Sequence, residues 1–276
     1  MTKMWFKALG ISAALLLMGC QTVSTTNSGA IGVNREQTMF SLLSEEQVNS
    51  MSAQAYKEAL SKANEKGSLN QNSAEIKRLR VIADRLVGQV GVFRQDASNW
   101  QWEVNLTTDE QLNAYCMPGG KIMFYTGIIN KLKLNDDEIA AIMGHEMAHA
   151  LREHGREAMS QAYGIQLGQD ALSILLGVSP DVMNLGSTVV NYALTLPNSR
   201  TNEAEADLIG LELMARAGYN PQAAVTLWQK MSAESGQKVP EFMSTHPAHS
   251  TRINGLRANI VKVEPLYQRA ISKRGS

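Results

Sequence analysis

Three side chains within one turn of a helix carry the clearest chemistry in this sequence: His145, Glu146 and His149, in the run His145-Glu146-Met147-Ala148-His149. A spacing of four residues rotates a helical side chain by only about 40°. Both imidazoles therefore leave one face, one turn apart, where they can reach a single cation, while Glu146 projects beside them toward a bound water. Such a set can support metal-assisted hydrolysis. A catalytic zinc also needs a third protein ligand and an open position. Glu203-Ala204-Glu205-Ala206-Asp207 offers the ligand. Glu203 and Asp207 share a helix face by the same spacing, so that one can ligate while the other accepts the N–H of a ligand imidazole.

The other histidines are weighed against that centre. His154 follows His149 by five residues, which on a continuing helix turns it about 140° away, and Arg152 stands where the three-histidine zinc motif has glycine. We read His154 as a packing or supporting residue. His246 and His249 lie in a loop between Ser244 and Arg252 that leads into the last helix. Either His246 and Arg252 bring donors to the oxyanion of a tetrahedral intermediate, or His246 fills the open zinc position and keeps the enzyme latent. Cys116 reads as a small buried hydrophobe rather than a nucleophile.

These residues must be held by regular elements, and the pattern supplies them. Asn135-Asp136-Asp137-Glu138 is a capping box with acids in the first turn, opening the helix that carries His145 and His149. Ser44 and Gln47 form a second box before a helix reaching toward Gly67, and Ile76, Leu79, Ile82, Ala83 and Leu86 mark a helix over 73–87. Residues 100–106 alternate as a half-buried strand, and Lys121 to Tyr125 reads as another after the Pro118-Gly119-Gly120 turn. Helices are expected at 201–217, 221–233 and 250–262. Interrupted apolar segments over 158–196 read as packed helices or a cover, since no run there approaches the roughly 18 residues of a membrane span. The fold class is α+β and predominantly helical, with a small sheet and no internal repeat.

The chain has 276 residues, 44% of them hydrophobic, with 26 basic residues balanced by 26 acidic ones. That supports a core and leaves no basic footprint for nucleic acid. Lys3, Lys7, an apolar run from Ala8 to Met18, and Leu17-Met18-Gly19-Cys20 read as a signal peptide over 1–19. The last four residues resemble a bacterial lipobox, which implies lipid on Cys20, and Gln21 resembles the default for sorting to the outer membrane. Residues 20–39, rich in Ser, Thr, Asn and Gly, read as a flexible tether, with the folded domain over 40–276.

Together, the His145 motif, Ser199-Arg200 with Glu203, Glu205, Ala206 and Asp207, and then His246-Pro247 and Arg252 resemble metallopeptidase family forty-eight. That family includes the HtpX and CaaX prenyl proteases, and this chain is similar to its periplasmic lipoprotein branch. The resemblance implies a zincin-like domain with one zinc per chain, ligands His145, His149 and Glu203, catalytic Glu146, and Asp207 behind the ligands. It also implies that substrate pairs as an added strand along the segment containing Gly119, Gly120, Lys121, Ile122 and Met123. The expected function is a zinc endopeptidase of the periplasm, held at the outer membrane, acting on unfolded or misassembled envelope proteins, with outer-membrane assembly machinery as a partner. The alternatives are a lipoprotein chaperone or scaffold, and a zinc amidase acting on cell-wall peptides.

Overall fold

The computed structural model describes residues 20–40, 43–162, 198–234, 241–247 and 250–274. The expected signal peptide over 1–19 lies outside the described residues, as does the expected helical region from residue 163 to 196.

Helix starts follow the capping chemistry. Helix α1 (Glu45–Glu65) begins at Ser44, whose Oγ accepts from Gln47 N while Gln47 Oε1 accepts from Ser44 N. Helix α2 (Ser73–Val87) starts at Asn72 and buries Ile76, Leu79, Ile82, Ala83 and Leu86, the face that the periodicity predicts. Strand β1 (Cys20–Val23) and β2 (Gln37–Phe40) form an antiparallel pair. The main sheet contains β3 (Glu103–Thr107), β4 (Ala114–Met117) and β5 (Lys121–Tyr125) in the order β3-β5-β4. Strand β5 runs parallel to β3, with Val104 opposite Ile122, and antiparallel to β4, with Cys116 opposite Ile122.

That order corrects one expectation. The strand containing Lys121, Ile122 and Met123 is central, with both edges already hydrogen-bonded, so no substrate strand can be added to it. Gly119 and Gly120 form the turn between β4 and β5, both at positive φ, and Gly120 lies against the Trp102 ring. Among the described residues, the strand with an unpaired outer edge beside the helix of His145 is β4.

Helix α1 covers one sheet face. Tyr56 packs with Met117 and Met123 and donates its hydroxyl to the Ile122 carbonyl at 2.6 Å. Helix α4 (Asp136–Leu151) lies on the other face after the short α3 (Thr126–Lys131), and every residue from Glu138 to Leu151 is buried. A helix surrounded by protein shows little amphipathicity. Helix α5 (Arg200–Arg216) crosses α4 where a Cβ on Gly144 would lie 3.0 Å from Gly210 O, and one on Gly210 would lie 2.7 Å from His145 N. Two glycines thus bring the backbones close enough for Glu203 and Asp207 to meet His145. Helices α6 (Gln222–Glu234), α7 (Glu241–Thr245) and α8 (Ser250–Ser272) follow in the chain. Helix α8 continues ten residues past its expected end at 262, through Pro265, because Val263 is buried and Leu266 and Tyr267 pack on the core. The domain is α+β and mainly helical, as the sequence leads one to expect. No helix among the described residues is long and apolar enough to cross a membrane.

Residues 20–39, read as a flexible tether, instead form a strap along the domain. Ile31, Val33 and Met39 are buried, and the Glu212 carboxylate accepts from the backbone N–H groups of Ala30 at 3.0 Å and Ile31 at 2.8 Å. Gly29, at φ +62°, sits where a Cβ would meet the Phe93 ring and Glu212. Arg35 reaches two buried carboxylates, Glu157 and Glu205, each at 2.6 Å. The polar composition hid these few anchoring residues.

Candidate active site

The cap at Asn135 and the burial of α4 fix the direction in which His145 and His149 project. Their Nε2 atoms are 3.1 Å apart. From across the α4–α5 crossing, Glu203 brings Oε2 to 3.5 Å from His145 Nε2 and Oε1 to 3.3 Å from His149 Nε2. His246, just after α7, places Nδ1 3.3 Å from His145 Nε2 and 2.9 Å from Glu203 Oε1. One donor atom from each of these four residues lies within 4.8 Å of all the others, and all four residues are buried.

This donor set fits zinc. Bonds of about 2.0–2.1 Å in a tetrahedron separate neighbouring ligand atoms by roughly 3.4 Å, close to the spacings observed. Three imidazoles and a carboxylate have the matching chemistry. Two buried carboxylate oxygens, Glu146 Oε1 and Glu203 Oε2, accept no hydrogen bond. Arg252 Nη1 is 2.6 Å from that Glu203 oxygen, but its hydrogen bonds go to the carbonyls of His246 and Pro247. Glu203 Oε2 thus has its counter-charge in Arg252, whereas Glu146 Oε1, buried without a hydrogen bond, leaves a place for a donor such as water beside the cluster.

Burial opposes the charge of His145, but its hydrogen bonds to Asp207 and Glu203 outweigh burial and raise it to about 9, so a cation bound here must displace a proton. Burial opposes ionisation of Glu203, yet the charge of His246 and the hydrogen bonds and charge of His145 outweigh it and hold the carboxyl far below the usual range. Burial pushes the Glu146 carboxyl up, against the pull of His246 and His145, so it binds a proton more readily than an ordinary glutamate. Burial also keeps His149 well below the usual histidine value, in the neutral form that can ligate.

Asp207 lies behind the cluster, with Oδ1 3.0 Å from His145 Nδ1. Arg252 grips Asp207 through Nε at 2.7 Å and Nη2 at 2.6 Å, and its guanidinium lies 3.7 Å from the centre of the Trp228 ring. It faces α5 rather than the cleft, and its donors are already committed. Stabilising an oxyanion in the cleft, the task expected of Arg252, does not fit this position; holding Asp207 and Glu203 does.

His154 was expected to point away, but the helix does not continue to it. Helix α4 ends at Leu151, and Glu153 takes φ +52°, held there by Arg94 and Arg156. The chain folds back, and His154 Nδ1 comes to 2.9 Å from His149 Nδ1. Glu205, Arg152 and Arg35 continue outward from it; no spacing rule picks them out. Cys116 is buried, and burial raises its thiol well above the usual range, as suits a packing residue.

The cluster opens into a cleft of about 940 Å³. Glu146, His149 and His246 line its floor, the edge of β4 from Ala114 to Met117 forms one side, and Met51, Ala55 and Ala59 of α1 overhang it. Gly119 to Met123 do not line it.

Residues 73–260 match peptidase family M48. The mitochondrial metalloendopeptidase OMA1 of Arabidopsis thaliana is 36% identical over 171 residues, 62% of this chain and 34% of its own length. The corresponding protein of Schizosaccharomyces pombe is 34% identical over 206 residues, 74% of this chain and 58% of its own length. Metalloprotease LoiP of Escherichia coli is 28% identical over 254 residues, 90% of this chain and 94% of its own length. The chain thus spans well under two thirds of the two mitochondrial relatives and nearly all of LoiP.

Proposed function

The chain belongs to peptidase family M48, and from that premise we propose that it is a zinc-dependent endopeptidase acting on extended polypeptide. One observation carries the reading: a buried His-His-Glu-His cluster lies beside Glu146 at the floor of a cleft bordered by an unpaired strand edge. His145, His149 and Glu203 would hold the metal. Zinc there supplies Lewis acidity toward a carbonyl and lowers the pKa of water. Glu146, whose Oε1 is free of hydrogen bonds, takes the proton of the attacking water and delivers it to the leaving amine. Asp207 orients His145 through Nδ1, and Arg252 holds Asp207. Strand β4 aligns substrate by backbone pairing, which reads little side-chain identity and favours unfolded chains.

His246 supports latency. Its Nδ1 stands among the metal ligands and its Nε2 is 3.4 Å from Glu146 Oε1, the space that water and the scissile carbonyl need. Displacement of this residue opens the site. The lipobox-like Leu17 to Cys20 supports a periplasmic protein held at the outer membrane through lipid on Cys20, where misassembled envelope proteins are substrates and the assembly machinery is a partner. The domain starts at the strap, not at residue 40.

The test is digestion of casein by residues 20–276, as isolated, after chelation, after zinc is restored, and with Glu146→Gln. Activity lost with chelator, regained with zinc and absent in the variant is the expected outcome. Cleavage that survives both chelation and Glu146→Gln would sink the reading.

A further inference from the structure

The metal-facing cluster uses Nε2 of His149, which leaves its Nδ1 turned toward His154. A neutral imidazole has one N–H and one lone pair. To offer the Nε2 lone pair to a cation, His149 must carry its proton on Nδ1, and His154 Nδ1, 2.9 Å away, must then accept it. His154 in turn must carry its proton on Nε2. The partner at that nitrogen is Glu205 Oε2, at 3.1 Å, an acceptor with no proton to give. With a different partner there, His154 can move its proton to Nδ1, where two N–H groups would collide and drive His149 to the tautomer that cannot ligate.

Glu205 is kept an acceptor by the strap. Arg35 donates to Oε1 from Nε at 2.6 Å, and Arg152 donates to Oε2 from Nε at 3.1 Å and Nη2 at 3.0 Å. Arg152 is fully buried and is itself held by Thr26 Oγ1 at 3.2 Å and the Arg35 carbonyl at 2.9 Å.

We propose that His154 and Glu205, clamped by Arg35 and Arg152, are positioning residues that fix His149 in its metal-binding tautomer, so that the amino-terminal strap is the outer layer of the zinc site. This rests on the zinc reading above and adds residues 25–37 to it. A salt-bridge network that merely tied the strap down would leave the His149 proton where it is.

The experiment uses the full chain, with zinc affinity measured by competition with a chelator and the His149 tautomer read from histidine ¹⁵N chemical shifts of the metal-free protein. His154→Phe and Glu205→Gln weaken zinc about 10- to 100-fold, the usual loss when a partner of a ligand histidine is removed. Arg35→Ala weakens it less, Arg35→Lys restores part of the loss, and the His149 signals move from the Nδ1–H form toward the Nε2–H form. Arg35, with a side chain 31% exposed, carries the test if His154→Phe does not fold. Zinc affinity and His149 shifts unchanged in every folded variant, beside a weakened Glu203→Ala, would overturn this proposal alone. Wild-type protein that binds no zinc would overturn the zinc reading and this proposal with it.

Discussion

Glu146 has no structural bond to lose at Oε1, so its substitution separates chemistry from folding. Glu146→Gln should lower peptide hydrolysis by about 10²- to 10⁴-fold while zinc content, measured by metal analysis, stays at the wild-type level. His246→Ala should do the opposite, raising basal casein cleavage several-fold as the space beside Glu146 opens. A fall to background would show that His246 serves the transition state instead. Arg252 differs from both, because it neutralises buried Asp207 and Glu203. Arg252→Met leaves two carboxylates without their counter-charge, at a cost of about 3–5 kcal/mol in stability, to be read from urea unfolding. At this scale the His145 motif was legible because four-residue spacing on a helix is a local rule. The supporting role read for His154 agrees with its contact to His149, but its direction was not legible, because a single reversal of φ at Glu153 decides it and a glutamate carries no signal for that.

Elements were legible where their ends are chemically marked. The boxes at Ser44 and Asn135 place two helix starts, and the apolar spacing from Ile76 to Leu86 places a third helix. Strand β4 is not marked: Ala-Tyr-Cys-Met has no polar alternation, because α1 packs on one face and α4 on the other. Which strand is central depends on pairing between segments far apart in sequence, so the free edge could not be assigned to β4 in advance. The α4–α5 crossing gives a prediction of its own. Gly210→Ala puts a methyl 2.7 Å from His145 N and should cost about 1–3 kcal/mol, with loss of zinc affinity as the helices part. Thermal unfolding with and without zinc checks both effects; an unchanged melting point would mean that the crossing is looser than its geometry.

For the whole molecule, the strap matters most. Glu157 anchors it: burial raises that carboxyl, but hydrogen bonds from Arg35 and Gln37 outweigh burial and lower it. A carboxyl depressed in the folded protein contributes stability that is complete above its unfolded pKa of about 4.3 and is lost as pH falls through the lower folded value. Proteolysis of the strap by an acid-active protease should therefore accelerate below about pH 4, and Glu157→Gln should flatten that dependence while loosening the strap at neutral pH. The strap was invisible in the sequence because Ser, Thr, Asn and Gly dominate its composition, while a few side chains such as Ile31, Val33 and Arg35 secure it. Strand β1 begins at Cys20 itself, and by Thr25 the chain already donates to the Arg152 carbonyl at 3.1 Å. Five extended residues reach at most roughly 17 Å. Were Cys20 lipidated, as proposed above, the domain would have no leash: it would work in a layer about one domain deep and would meet substrate only where that chain descends to the membrane.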